Sequence, residues 1–370
     1  MESIYEKGTD ERVKDIYCPQ PFVSVVINGL SGRVQPCCVM KDWPVSADEK
    51  LWKDLRTEFL TGEGNLKERF CQSCIEQEKH HQESPRKSYL EQYEQNLDMF
   101  TMEYNAPSNY CNLKCHMCSP WNSSTIAVEN LSIAQLDPLS QAFSDKYGDK
   151  TLVQPDQQLP TVRPITNLKL VGGETLAIRQ NYELMDKFIA TGLSKNITLE
   201  ITTNATLTPT FNKWDIFNYI SHFKKCKMMV SIEAWGERNN YLRYPSQWEV
   251  IMKNVERFEE CSDVTFASTV NCLNIGYLNE IPDHYTSTTG SLVWGEKELY
   301  TIEALPLDIR EIYLDKFYSE GADVKLVRYL EEIEFKPELH KKMMFDLMQR
   351  DKYRGTCLLD FFPEWKPYYG

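Results

Sequence analysis

Three thiols sit on one short stretch, Asn109-Tyr110-Cys111-Asn112-Leu113-Lys114-Cys115-His116-Met117-Cys118, at spacing C-x3-C-x2-C. Their number is informative. Four cysteines close a tetrahedral zinc site or fully ligate an iron-sulfur cube. Three hold a cube by three of its irons and leave the fourth open to an outside ligand, which makes that iron a place for chemistry. Two plainer readings stand beside this one. One is a structural zinc loop that borrows His116 or a distant cysteine; the other is three buried apolar cysteines in a core.

A second set lies upstream, where Cys18, one of Cys37 and Cys38, Cys71 and Cys74 supply four ligands within the first 90 residues. Residues 21–36 read as a β-hairpin: 22–27 is rich in branched residues, and Asn28-Gly29 with Ser31-Gly32 supplies turn residues able to take positive φ. Cys18 precedes its first strand and Cys37-Cys38 follows its second, so both ends return to one side. Residues 47–60 carry Leu51, Trp52, Leu55, Phe59 and Leu60 at helical spacing, and Gly62 and Gly64 end that helix. Cys71-Gln72-Ser73-Cys74 is a C-x2-C knuckle whose two thiolates can share one metal or cluster. Spacing does not separate Cys37 from Cys38; the expected set is Cys18, Cys37, Cys71 and Cys74. Ligand type and number suit a zinc ribbon equally well, and it is the neighbouring three-thiol loop that favours a cluster. His80 and His81 lie on the charged stretch EQEKHHQES and read as solvated. Residues 78–96 suit a linker helix.

From Phe100 the pattern alternates strand and helix. FTMEYN is a strand leading into the three-thiol loop. Residues 122–147 are helical in pattern, and 148–164 is a connection without an evident element. The strand at 168–171 runs into Gly172-Gly173-Glu174, followed by a helix over 176–190. Strand 197–203 ends in Asn204, and helix 209–223 follows. Strand 228–232 ends at Glu233; helix 247–260 precedes strand 264–270, which ends in Asn271. A sixth strand is expected within 299–305. Such alternation is the pattern of a parallel sheet or barrel, with its site at the carboxyl ends of the strands. Beyond it come helices over 322–333 and 337–351 and the aromatic tail LLDFFPEWKPYYG, for which simple packing is the default.

The chain has 370 residues, 42% hydrophobic and 26% charged, as in ordinary globular proteins. No apolar run approaches the roughly 20 residues that span a bilayer, and the polar start MESIYEKGTDERVKD lacks a secretory apolar segment. A cytoplasmic protein without a membrane partner is expected. A net charge of −13 argues against broad nucleic-acid binding. Twelve cysteines in a reducing compartment point to metal or redox work rather than to disulfides.

With these residues in place, the sequence resembles the radical S-adenosylmethionine (radical SAM) superfamily. The likeness rests on Cys111-x3-Cys115-x2-Cys118 with Met117 before the last cysteine, on Gly172-Gly173-Glu174 after a strand, and on Val230-Ser231-Ile232-Glu233 ahead of the stretch 238–243. It covers roughly residues 100–305. The N-terminal cysteine block looks like a twitch or SPASM-type auxiliary-cluster module, which in relatives usually follows the barrel and here precedes it.

The resemblance implies an α/β chain: a partial (β/α)6 TIM-like barrel with a small N-terminal cysteine-rich auxiliary iron-sulfur domain. The division it suggests is 1–95 for the auxiliary domain, 96–310 for the barrel and 311–370 for a helical and aromatic extension. It implies that Cys111, Cys115 and Cys118 hold a 4Fe-4S cluster whose open iron chelates S-adenosylmethionine, and that an electron from the cluster releases a 5′-deoxyadenosyl radical. Gly172, Gly173 and Glu174 would meet the methionyl amino group. Ser231 and Glu233 would bind the ribose, with Asn204 and Asn271 nearby, and Met117 would pack on the adenine. Cys18, Cys37, Cys71 and Cys74 would hold a second 4Fe-4S cluster suited to electron transfer. The implied partners are a peptide or small-molecule substrate and an external one-electron reductant of flavodoxin or ferredoxin type. Relatives of this kind often modify peptides, so a peptide or protein side chain comes first, with a small metabolite or nucleotide as the alternative. A non-enzymatic zinc or iron-sulfur binding protein is the reading from another class.

Overall fold

In the computed structural model, residues 17–370 are described apart from 41, 46–47, 80–83, 96–97, 135–136, 155–163, 208–209, 212–213, 286–290, 293–297 and 322–323. The strand-forming runs assemble into one seven-stranded sheet. Its strands are β1 (Ser24–Asn28), β2 (Arg33–Gln35), β3 (Thr101–Asn105), β4 (Asn167–Val171), β5 (Thr198–Thr203), β6 (Lys225–Ser231) and β7 (Asp263–Ala267). In space the order is β2-β1-β3-β4-β5-β6-β7. All neighbours are parallel except β2, which is antiparallel to β1. This is a mixed α/β fold with a parallel sheet.

The six parallel strands are present in the expected number, but the sixth lies at the opposite edge from the one expected. β1 pairs with β3 residue for residue, Ser24 with Thr101 through Asn28 with Asn105. The N-terminal hairpin is therefore continuous with the sheet, although the chain was expected to divide at residue 95. Residues 299–305 form instead two short 3-10 turns, Glu298–Tyr300 and Ile302–Ala304. Leu299, Tyr300, Ile302, Ala304 and Leu305 are all buried. A short apolar run buried on every side has no periodicity that separates strand from turn.

Beyond one helical turn at Gln20–Val23, the helices are α1 (Glu49–Thr61), α2 (Leu66–Phe70), α3 (Gln72–Lys79) and α4 (Pro85–Gln95) ahead of β3; α5 (Ser124–Asn130) and α6 (Pro138–Tyr147) before β4; and α7 (Arg179–Ala190), α8 (Ile216–Ile220), α9 (Glu237–Leu242) and α10 (Trp248–Glu259) among the later strands. α11 (Leu307–Glu320), α12 (Val324–Glu332) and α13 (Pro337–Arg354) close the chain. The boundary expected after residue 310 thus falls inside α11. The helix expected over 209–223 is reduced to α8, because Thr210–Phe211 pairs with Trp214–Asp215 and the Asp215 carboxylate caps Phe217 N at 3.1 Å. The strand expected over 264–270 is interrupted after Ala267: Thr269–Val270 pairs instead with Ser291–Leu292, and the Glu233 carboxylate takes the Thr269 N–H at 2.7 Å.

Alternation along the strands divides the sheet into two faces. Leu168, Leu170, Leu199, Ile201, Met228 and Val230 are buried in the main core with residues of α7 and α10. The other face is polar. Here Glu103, Lys169, Glu200, Lys227 and Asp263 stand in register across five neighbouring strands. A second core holds the C-terminal tail, where Phe362 and Trp365 are fully buried among Tyr313, Phe317 and Leu347. The tail packs, as its default reading had it. No helix among the described residues is long and apolar enough to cross a membrane.

Candidate active site

The three-thiol loop leaves the carboxyl end of β3 and is tied down by its own polar residues. Asn109 is fully buried; its Nδ2 donates to Pro120 O at 2.8 Å and its Oδ1 accepts from Leu152 N at 2.7 Å. The Ser123 and Thr125 hydroxyls both donate to Leu113 O at 2.7 Å. Lys114 N donates to Tyr244 O at 2.6 Å and His116 N to Leu242 O at 2.9 Å, so the segment after α9 straps the loop from one side. Cys111 and Cys115 are buried with Leu113, and Met117 and Cys118 pack against them. Burial raises the Cys111 thiol well above its usual range, and the neighbouring Cys115, Cys118 and Glu174 raise it further. Thiols crowded this way become thiolates only when a cationic centre compensates them.

His116, the candidate zinc ligand, lies in a different network. Its Nε2 faces Arg354 Nη1 at 3.1 Å, its Nδ1 faces Tyr300 Oη at 3.4 Å, and its ring lies 4.9 Å from that of Tyr241. No set of three or more His, Cys, Asp or Glu side chains among the described residues converges on a single ion. A cube binds its thiolates on separate irons, so convergence on one point is not what it requires.

The Gly-Gly-Glu turn after β4 docks directly on this loop. Gly172 and Gly173 adopt φ of 96° and 52°. A Cβ on Gly172 would collide with the Asn105 side chain, and one on Gly173 with the Tyr110 carbonyl. Glu174 N donates to that same carbonyl at 2.7 Å, one residue before Cys111. The fully buried Glu174 side chain accepts from Thr203 Oγ1 at 2.6 Å, Asn204 N at 2.8 Å and Leu176 N at 3.2 Å. Burial raises its pKa despite these bonds. This carboxylate therefore latches the end of β5 to the turn.

Asn204 reaches the thiols: its Nδ2 lies 3.9 Å from Cys111 Sγ and donates to Asn112 Oδ1 at 3.0 Å. Ser231 ends β6, half-buried. Glu233, fully buried, accepts from Arg243 Nη1 at 2.7 Å; burial pushes its pKa up to about 7, while Arg243 and the Thr269 N–H oppose that shift. Burial works against the Arg243 charge as well, but Cys115, Glu233 and Cys111 outweigh it. Arg243 thus lies between the thiols and Glu233, and its Nε is buried with no hydrogen-bond partner among the described residues. Asn271 bonds Thr269 and Asn274, the two neighbours that bond Glu233. Its Oδ1 accepts from Leu273 N and Asn274 N and its Nδ2 donates to Thr269 O, which is a local strand-end cap.

The N-terminal thiols surround a separate cavity of about 300 Å3, lined by Cys18, Cys37, Cys71 and Cys74 together with Met40, Phe59, Phe70, Lys67, Glu78 and Arg86. Cys37 is buried and lines it; Cys38 is exposed. Burial pushes the Cys71 thiol up to about 12 and raises Cys18 and Cys74 as well. The hydrogen bond with Cys38, followed by burial, raises Cys37. A zinc site closes its sulfurs around one ion at roughly 2.3 Å. A cavity many times the roughly 30 Å3 share of one water suits a larger group. His80 and His81 lie outside the described residues.

Sequence reasoning missed the charges behind the three-thiol loop. Arg354 donates to Lys114 O at 2.6 Å and to both oxygens of Glu129, at 2.7 and 3.0 Å. Arg350 joins Glu129 to Asp346, the latter at 2.7 Å. Burial pushes the Glu129 carboxyl up, but Arg354 and Arg350 outweigh it and hold the group below its usual range. Arginines inside the C-terminal helix were the only signal, and no local spacing named their partner.

Residues 105–284 match the family model described as the Radical SAM superfamily. No curated protein sequence matches the chain at a significant level. Similar solved structures include native anSMEcpe with bound AdoMet and a Cp18Cys peptide, at 13% identity over 60% of this chain and 61% of that one, with a TM-score of 0.35. SuiB of Streptococcus suis bound to the precursor peptide SuiA is another, at 14% identity over 82% of this chain and 69% of that one, also with a TM-score of 0.35. The chain spans about three-fifths of the length of the anSMEcpe structure. The cysteine loop and the ends of strands β4 to β7 all fall within the matched segment.

Proposed function

We propose that the chain is a radical SAM enzyme whose cluster is held by Cys111, Cys115 and Cys118. The observation that carries this reading is that Cys115 and Cys118 lie close enough to Cys111 to raise its thiol, on a loop docked against the Gly172–Gly173 turn, while His116 is engaged by Arg354 and Tyr300. When bound, the cluster supplies the electron that cleaves S-adenosylmethionine and releases a 5′-deoxyadenosyl radical. The protein's own part is positional. The glycine turn at 172–173 brings backbone carbonyls beside Cys111 for the methionyl amino group. Arg243, with its orphaned Nε next to the thiols, suits the carboxylate. Ser231 and Glu233 suit the ribose, and Met117 the adenine. The side chains of Glu174 and Asn271 act as structural latches, and Asn204 positions the loop through Asn112.

The cavity among Cys18, Cys37, Cys71 and Cys74 is proposed to hold a second 4Fe-4S cluster with all four ligands from the protein, suited to electron transfer. The polar face of the sheet favours a peptide or protein side chain as substrate. Its row of alternating charge, in which Lys169 pairs with Glu103 at 3.0 Å and Lys227 with Glu200 at 3.3 Å, presents a polar wall to an amide-rich, zwitterionic chain rather than to an apolar metabolite. A cytoplasmic setting fits twelve free cysteines. Anaerobic reconstitution tests the reading: about eight irons per chain with matching sulfide, and 5′-deoxyadenosine on reduction in the presence of S-adenosylmethionine. A zinc-loaded, colourless protein that forms no 5′-deoxyadenosine would overturn it.

A further inference from the structure

The chain carries a net charge of −13, yet α13 turns a basic and apolar face outward. After its first turn the exposed side chains are Lys341, Lys342, Phe345, Met348, Lys352 and Tyr353. Steps of three and four residues place Lys341, Phe345, Met348 and Lys352 on one stripe. Phe345 is 47% exposed and Tyr353 43%. The one exposed acid of the helix is Glu338, in the first turn, where it pairs with Lys341 at 2.7 Å. Asp346 and Asp351 face inward, Asp346 to Arg350 and Asp351 to Tyr241 and Leu358 N.

The C-terminal end of this face reaches the three-thiol loop. Lys114, between Cys111 and Cys115, holds its ammonium 5.2 Å from the centre of the Tyr353 ring. The next residue of the helix, Arg354, donates to the Lys114 carbonyl. On the other flank Gln349 bonds the N–H and the carbonyl of Ala134, at 2.8 and 3.2 Å, which brings the 55%-exposed Leu131 alongside.

We propose that the outer face of α13 docks an acidic protein carrying a one-electron redox group, and that electrons enter the three-thiol loop from this side. The inference rests on the radical SAM reading, which needs an outside reductant. At the contact the donor loses one electron and the cluster gains it, and no bond forms or breaks. Charge selects the occupant: lysines on an otherwise acidic molecule steer an acidic partner and fix its register, while Phe345, Met348 and Tyr353 supply the apolar centre of a contact.

The test combines Lys341→Glu, Lys342→Glu and Lys352→Glu in the reconstituted enzyme, with a reduced acidic flavodoxin as the docking probe and dithionite as a reductant too small to need docking. Affinity for flavodoxin, measured by calorimetry at low salt, falls about tenfold or more and loses its salt dependence. Flavodoxin-driven 5′-deoxyadenosine formation falls in step, and the dithionite-driven rate is unchanged. Reversing the exposed Lys50 and Lys53 of α1 alters neither. An unchanged affinity, an equal loss in the α1 control, an equal loss of the dithionite-driven rate, or a wild-type dimer that the charge reversal dissolves would each overturn the docking surface. A wild type that forms no 5′-deoxyadenosine with dithionite overturns the radical SAM reading instead, and the affinity measurement still decides the surface.

Discussion

Behind Cys111, Cys115 and Cys118 the protein packs buried charge; around Cys18, Cys37, Cys71 and Cys74 it packs aromatic bulk. Glu129, Asp346, Arg350 and Arg354 are 0, 1, 1 and 9% exposed, and through Lys114 and His116 they hold the loop from its far side. The N-terminal cavity is walled by Phe59 and Phe70, with the buried Trp43 ring 5.1 Å from Phe70 and a single Arg86–Glu78 pair at its edge. A group held by all four cysteines of the cavity, as proposed, would set the geometry of its own ligands and need no buried ion network behind it. A site with three must be held by the protein, because its last corner belongs to a ligand that comes and goes. Directional hydrogen bonds from buried ions provide that constraint.

The largest effect should follow from breaking the three-ligand side. Cys115→Ala should lower 5′-deoxyadenosine formation by on the order of 10^4-fold, since groups that act as a unit fail together. Iron should fall from about eight to about four per chain. Retained cleavage in this variant would erase the distinction between the two sites. Arg354→Met comes next, because it strips the loop of its rear anchor and leaves Glu129 with Arg350 and, at 3.9 Å, Lys114. Loss of one partner from a buried ion network costs roughly 3 kcal/mol, readable as a lowered urea midpoint. Arg354→Lys should recover part of it, as charge returns without the two-pronged geometry.

How much of this was legible in the chain depends on the range of each interaction. The cysteine spacing and the need for glycine at 172 and 173 are local facts, and both are visible in the residues. So was the polar character of the strand ends, but not which end faces the thiols. Asn204 does, whereas Asn271 folds back on Leu273 and Asn274. Glu174 was read as a ligand because its motif is local, while its partners Thr203 and Asn204 lie about thirty residues away. The sixth strand was misplaced for a related reason. Residues 24–28 and 299–305 are both short and apolar, and only pairing with β3, across some 77 positions from Ser24 to Thr101, selects the first. The Arg350 and Arg354 links to Glu129 span 221 and 225 residues, beyond any local pattern.

A smaller effect tests whether buried charge also tunes the ligand side of the loop. Glu233 has a folded pKa of about 7 against an ordinary 4.5, so between those values the folded state binds more protons than the unfolded one. Stability linked to this group is fully present below pH 4.5 and declines as pH rises through 7. Glu233→Gln should flatten that decline, by up to roughly 3 kcal/mol over the interval. Denaturant titrations at pH 5 and pH 8 check it, and an unaltered slope would mean that the Arg243 pair fully compensates the burial of Glu233.

The smallest effect on cleavage, and the sharpest test of the contrast, belongs to the N-terminal side. Cys74→Ala removes one of four ligands from the cavity, and iron should again fall from about eight to about four per chain. Neither the loop at 111–118 nor its anchors Arg354, Asn109 and Tyr244 are among the cavity's lining residues. Reduction with dithionite should therefore still yield 5′-deoxyadenosine within about threefold of wild type, because effects at sites without shared partners combine almost independently. The two single variants would then lose equal iron and very unequal chemistry. If Cys74→Ala lost cleavage as completely as Cys115→Ala, the cavity would be part of the path by which the loop is reduced, and the division between a reactive and an auxiliary site would have to be redrawn.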